Sequence, residues 1–201
     1  MKYSFAGPML IGTVFISCAN ATTVHIKNSC AYPIHYAYAY TQGADPEIII
    51  PSQGTHQTEL KEALPNGKPD VVSMKFHKGA GLESGILQVE MSKEIRSGRN
   101  GDEIYSTGFH WNLSHNDGQK SGSTGLSPFR QDDVVVRPQG AGTGQGTRSP
   151  VICPKHSVCK DSYQFPTDDL KMRHCPIDLG GFEIETCPPN GIWKRAQEFF
   201  A

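Results

Sequence analysis

The residues of this chain best able to do chemistry are its cysteines, its histidines, Trp111 and the triplet Asn112-Leu113-Ser114. The cysteines, Cys18, Cys30, Cys153, Cys159, Cys175 and Cys187, offer disulfides, a reactive thiol or metal ligands. The compartment decides among these, because disulfides persist in oxidising surroundings and cytosolic cysteines stay reduced. No cysteine has a recognisable catalytic setting and no Gly-x-Ser-x-Gly element is present, which speaks against a nucleophilic hydrolase. The eight histidines make no His-Glu-x-x-His or comparable ligand pair, so neither a metal nor a cofactor is expected. His110 and His115 flank Trp111, whose ring can stack on a sugar or fill a core. Asn112-Leu113-Ser114 is an N-glycosylation sequon, which makes Asn112 a candidate glycan site.

The first residues settle the compartment. Lys2 supplies a positive start, Met9 to Ile16 an apolar run, and Ala19-Asn20-Ala21 a small-x-small cleavage site. Residues 1–21 therefore read as a secretory signal peptide, too short in its apolar part to span a bilayer. Cleavage removes Lys2 and Cys18, leaving 18 of the 19 basic residues against 20 acidic ones and a net charge of −2. Such a balance gives no electrostatic footprint for nucleic acid or an anionic membrane. Five cysteines then remain, so disulfides are expected, with one cysteine left over to stay free or to link two chains into a dimer. Residues 22–188 suffice for one domain with a real core, followed by a tail, 189–201, in which Lys194-Arg195 is a dibasic pair that secretory proteases can cut.

Strands must position these groups. In Ile34-His35-Tyr36-Ala37-Tyr38-Ala39-Tyr40, Ile34 and three tyrosines share one face and His35, Ala37 and Ala39 the other. Leu87, Val89 and Met91 alternate with Gln88, Glu90 and Ser92, which aims Glu90 away from a core. Glu47 to Ile50, Val71 to Phe76 and Val134 to Val136 are further short runs. Turn formers separate them at Pro51 to Gly54, Pro65 to Gly67, Arg99 to Gly101 and Asn116 to Gly118. Gln139 to Thr147 is glycine-rich, but without Gly-Lys-Ser/Thr it reads as a surface loop rather than a phosphate cradle. Many short strands with frequent turns predict an all-β chain folded as an antiparallel β-sandwich.

Three stretches resemble thaumatin-like proteins, in particular the small fungal yeast-phase-specific or antigenic branch. They are Val24-x-Ile26-x-Asn28-x-Cys30-x-Tyr32-Pro33-Ile34, Trp111 to Gly118, and Cys159-x-Asp161-x-Tyr163 through Asp168-Asp169, Cys175-Pro176 and Thr186-Cys187-Pro188. The resemblance implies a reduced single-domain, disulfide-stabilised sandwich of thaumatin-like type with a Cys30–Cys187 bridge. It also implies that Cys153 pairs with Cys175 or, alternatively, with Cys159. On the loop-entropy account a bridge closing so long a loop is worth about 5 kcal/mol.

In larger relatives an acidic cleft of one arginine and several carboxylates is linked to β-1,3-glucan binding and sometimes to weak hydrolysis. Carried over to this chain, the arginine position falls on Lys75, the glutamate on Glu90, the two motif aspartates on Asn112 and Asp117, and the last carboxylate on Asp168. Asn112 is the departure. Glycoside hydrolysis uses two carboxyl groups, and an amide can serve as neither acid nor nucleophile. A glycan on Asn112 would also occupy the face where a polysaccharide should lie. The expectation is therefore a secreted, non-catalytic protein binding cell-wall glucan or a host component. A weak endo-β-1,3-glucanase and a virulence factor or inhibitor that binds a host protein are the alternatives, with Lys75, Glu90, Trp111, Asn112, Asp117 and Asp168 as the ligand-binding candidates.

Overall fold

The computed structural model describes residues 23–40, 43–60, 72–79, 85–97, 104–114, 127–140, 149–163, 171–175 and 179–189. The expected leader, the tail beyond Pro189, Asp117, Asp168, and the turns at 65–67, 99–101 and 116–118 lie outside these residues. Twelve strands are described: β1 (Thr23–Asn28), β2 (Ile34–Tyr40), β3 (Gly43–Ala44), β4 (Ile48–Ile50), β5 (Thr55–Glu59), β6 (Val72–His77), β7 (Leu87–Ser97), β8 (Ile104–Ser114), β9 (Val134–Gly140), β10 (Val151–Cys153), β11 (Arg173–Cys175) and β12 (Leu179–Thr186). A one-turn 3-10 helix, Pro128–Gln131, precedes β9. The glycine-rich stretch begins inside β9, which runs on to Gly140.

The strands form two sheets. One has the order β10-β9-β12-β1-β5, and the other β11-β8-β7-β6-β2-β3 with β4 also paired to β2. Pairing is antiparallel throughout except between β1 and β12, which run parallel from Thr23↔Gly181 to Asn28↔Thr186. Gly181 permits this register: its φ is +138°, and a Cβ there would lie 1.8 Å from the Thr23 carbonyl oxygen.

Alternation along the strands builds the core. Val24 and Ile26, Ile34, Tyr36 and Tyr38, Val72, Met74 and Phe76, and Leu87, Val89 and Met91 turn inward and are buried. Across the gap between the sheets, Trp111 of β8 meets Phe182 of β12 edge-on with ring centroids 5.1 Å apart. Tyr36 of β2 likewise meets His56 of β5 at 5.4 Å. Each fully buried side chain of this size stabilises the fold by about 1.5–3 kcal/mol relative to exposure.

The motif Val24-x-Ile26-x-Asn28-x-Cys30 acquires a physical meaning here. Asn28 is fully buried at the end of β1, with Nδ2 directed at the carbonyls of Tyr32, Ile50 and Pro51 at 2.8, 3.2 and 2.9 Å. Its Oδ1 accepts from the Cys30 backbone N–H at 3.0 Å. One side chain thereby satisfies the turn that carries Cys30 to Cys187, just past the paired ends of β1 and β12. Beside this bridge Lys78 pairs with Asp132 and sits 4.5 Å over the Tyr32 ring. Burial first, and then the Asp132 carboxylate, push the Tyr32 phenol far above the ordinary tyrosine range.

The second bridge joins Cys153 to Cys159, and the expected alternative with Cys175 is not the one formed. The reason is local. Cys153 ends β10, and the turn after it, with His156 at φ +59°, brings the chain back within six residues to a Cα–Cα distance of 4.6 Å. That spacing lies in the range a disulfide requires. Cys175 instead belongs to β11, paired with β8 at the edge of the other sheet.

Candidate functional site

The outward residues of the seven-stranded sheet stand in rows. Register aligns Asn112 of β8 with Glu90 of β7, Ser73 of β6 and Ala39 of β2. The next row is Ser114, Gln88, Lys75 and Ala37. In the third, His77 of β6 lies opposite His35 of β2, and His35 opposite Ile49 of β4. These residues alternate with the core set of each strand, so they face away from the sandwich interior; Lys75 and Glu90 are partly exposed there, and Ser73, His77, Gln88, Asn112 and Ser114 are buried.

Glu90 is the hub of the first two rows. Asn112 Nδ2 donates to its Oε2 at 3.0 Å, and Gln88 Nε2 donates to its Oε1 at 2.8 Å. Ser73 Oγ in turn donates to Gln88 Oε1 at 2.9 Å. Each carboxylate oxygen thus holds one amide hydrogen, which leaves about half of its accepting capacity for a ligand. Lys75 lies diagonally from Glu90 across the β6–β7 pair and is partly exposed. The structure therefore brings Lys75, Glu90 and Asn112 onto one face.

Two expectations change. Trp111 is 0% exposed, with its ring against Phe182 on one side and the Arg173 guanidinium 5.5 Å from its centroid. It is a core residue and offers no surface for a sugar, because in the strand the side chain before Asn112 must point to the opposite face. Asn112 is 3% exposed and its amide nitrogen is committed to Glu90. A glycan on that nitrogen does not fit the folded chain, although the sequon is intact, because the triplet lies inside β8 rather than in a loop. His110, next to Trp111 in sequence, packs against His174 of β11 at 4.8 Å between ring centroids.

Other groups on this face escaped sequence reasoning. Gln88 and Ser73 could have been found from the alternation that placed Glu90. The cluster of His35, Glu47 and His77 could not, because it depends on β2 lying between β4 and β6. Glu47 Oε1 is 2.6 Å from His35 Nδ1 and its Oε2 is 2.7 Å from His77 Nε2. The His35 hydrogen bond, reinforced by the His77 contacts, holds the Glu47 carboxyl below its ordinary range despite some opposing desolvation. Among the described residues the other grouping of potential metal ligands is Cys30, Asp132 and Cys187, whose sulfurs are already joined.

The outer side of the five-stranded sheet carries a groove of about 660 Å³ lined by His25, Lys27, Gln57, Gln139 and Glu183. Its charged lining residues, Lys27 and Glu183, are each paired with a neighbour outside the lining. Lys27 meets Glu185 at 2.8 Å, and Arg137 meets Glu183 at 2.7 Å and Glu185 at 3.4 Å.

No family model and no curated protein sequence matches the chain. Among solved structures the fold is similar to the protein elicitor MoHrip2 from Magnaporthe oryzae, at 17% identity and a TM-score of 0.55, covering 84% of this chain and 100% of that one. A likeness of TM-score 0.47 and 9% identity relates 82% of the chain to 99% of the thaumatin-like xylanase inhibitor TLXI. With two packed sheets and its first and last described strands bridged, the chain is a disulfide-closed β-sandwich whose fold is similar to that of MoHrip2.

Proposed function

We propose that this protein is secreted after loss of residues 1–21 and acts without catalysis, by binding cell-wall β-1,3-glucan through the outer face of its seven-stranded sheet. The observation that carries this reading is the clamped Glu90. A carboxylate held by Gln88 and Asn112, with Lys75 diagonal to it, is a fixed array of acceptors and donors suited to sugar hydroxyls. The position beside Glu90 that the resemblance makes a carboxyl is here the Asn112 amide, 3.0 Å away, which can act as neither the acid nor the nucleophile of a glycosidase and leaves Asp117 as the remaining carboxyl candidate for such a pair. Two disulfides fit an extracellular life. Among the described residues no helix is long and apolar enough to cross a membrane.

Co-sedimentation of residues 22–201 with insoluble β-1,3-glucan, chitin and cellulose tests the reading, with released sugar assayed in the same tubes. The expected result is selective glucan binding without sugar release, weakened at least about tenfold by Lys75→Ala or Glu90→Ala. Binding to no polymer overturns it. Sugar release that disappears in Glu90→Gln favours the glucanase instead.

A second reading, binding of a host protein, draws on Ile48 and Ile49, exposed at 37% and 58% on β4 beside the same face. The elicitor MoHrip2, whose fold is similar, keeps that reading in view. Capture of a protein from host extracts that depends on Ile49 would support it over glucan.

A further inference from the structure

We propose that His35, Glu47 and His77 form a binding site for a divalent transition metal, zinc in the first instance, at the edge of the polar face. The three residues come from three places in the chain that only the sheet unites. His35 and His77 are direct cross-strand partners, and Glu47 immediately precedes β4 on the far side of β2. The two imidazoles stack with centroids 5.0 Å apart and planes 28° from parallel, and His35 Nδ1 and His77 Nε2 both face Glu47. The Glu47 carboxylate spans them, and one ligating atom from each residue lies within 4.8 Å of the others.

Two imidazole nitrogens and one carboxylate oxygen are the donor set zinc accepts in three-ligand sites with an open fourth position. Mixed nitrogen and oxygen ligands favour zinc or its late first-row neighbours over magnesium and calcium, which prefer all-oxygen sites. Donors about 2.0–2.2 Å from a tetrahedral ion stand about 3.3–3.6 Å from one another, so the carboxylate must draw back from its 2.6 and 2.7 Å contacts and the ring nitrogens, within 4.8 Å of each other, must settle at that separation. Burial divides the labour. The side chains of His77 and His35 are 3% and 16% exposed and adjust by small ring rotations, while that of Glu47 is 45% exposed and has the most room to move.

The proton balance is explicit. In the metal-free chain each neutral imidazole directs its N–H at Glu47, and the metal needs the lone pair of that same nitrogen. The ring proton must then reside on the far nitrogen, so a neutral histidine releases none in net terms. For His77 the far nitrogen, Nδ1, accepts the Gly79 backbone N–H at 3.1 Å, and binding gives up that hydrogen bond. For His35 the far nitrogen, Nε2, lies beside Gly79, where a Cβ would stand 3.1 Å away. Glycine at 79, at φ +88°, leaves room there.

The site shares no residue with the Glu90 array, so it stands or falls independently of glucan binding. The test is calorimetric titration of untagged, chelator-stripped residues 22–201 with Zn²⁺, paralleled by Co²⁺ and its visible absorption. One equivalent is expected to bind, with a micromolar or tighter Kd and a rise in Tm. Glu47→Gln and His35→Asn are each expected to weaken binding at least about tenfold. The exposed position of Glu47 makes its variant safe for folding, checked by circular dichroism. Absence of saturable binding at about 1 mM Zn²⁺, or equal affinity in both variants, overturns the site.

Discussion

The Asn112 side chain donates its amide hydrogen to Glu90 across the β7–β8 pair, at 3.0 Å, from a position that is itself buried. The contact decides the chemistry of the face. With a carboxyl at 112 two acids would crowd one proton, whereas with an amide Glu90 has a donor and a fixed orientation.

Asn112→Asp therefore serves as a probe. Two carboxyls at this distance cannot both ionise without cost, so the folded-state pKa of one rises above its unfolded value. A raised pKa means the variant's deficit is smallest at low pH and grows as pH rises through that pKa. Urea unfolding should show a loss of about 1–3 kcal/mol at pH 7 that shrinks toward pH of about 4. Glucan hydrolysis should not appear, since the pair is closer than a glycosidase pair.

Trp111 distinguishes packing from binding. Trp111→Ala empties the contact with Phe182 between the sheets and should cost about 3–5 kcal/mol in equilibrium unfolding. Trp111→Phe should cost less and leave polysaccharide binding unchanged. A selective loss of binding in a fully folded Trp111→Phe protein would return the ring to the surface.

The two bridges should differ in worth. Cys30–Cys187 closes a loop with a sequence separation of 157, and Cys153–Cys159 one of 6. On the chain-entropy account their removal costs about 5 and about 2 kcal/mol respectively. Paired Cys→Ala substitutions, followed by calorimetry, should place the first variant near or below the folding threshold and leave the second folded.

Alkaline pH should expose Tyr32. Its folded pKa is raised, so its contribution is complete below the unfolded value of about 10 and is lost as pH rises beyond it. The stability gap between the native chain and Tyr32→Phe should narrow and then reverse above about pH 10. A gap independent of pH would mean that the phenol titrates normally in the folded protein.

At the buried ion network, Glu185 is fully enclosed between Lys27 and Arg137. Glu185→Ala removes the buried anion that Lys27 and Arg137 share but leaves Arg137 its 2.7 Å pair with Glu183, and should destabilise by about 1–3 kcal/mol in urea unfolding. Replacing both members together should recover part of that loss.

What was legible in the sequence is what strand alternation and local turns encode. The faces of Ile34–Tyr40 and Leu87–Met91, and hence the outward aim of Glu90, follow from a period of two residues. So does the choice of an all-β sandwich, and the Cys30 motif announced the turn that Asn28 organises. Partnership between strands is another matter, because it is chosen by packing among segments far apart in the chain. Only the folded structure makes β1 and β12 parallel neighbours, puts β2 between β4 and β6 so that Glu47 reaches both His35 and His77, and selects Cys159 over Cys175 for Cys153. The same holds for Trp111 and Asn112. Adjacent in sequence, both are ligand-binding candidates, Trp111 with a core reading beside it, but a strand sends neighbours to opposite faces. One therefore fills the core, and the other is spent on orienting Glu90.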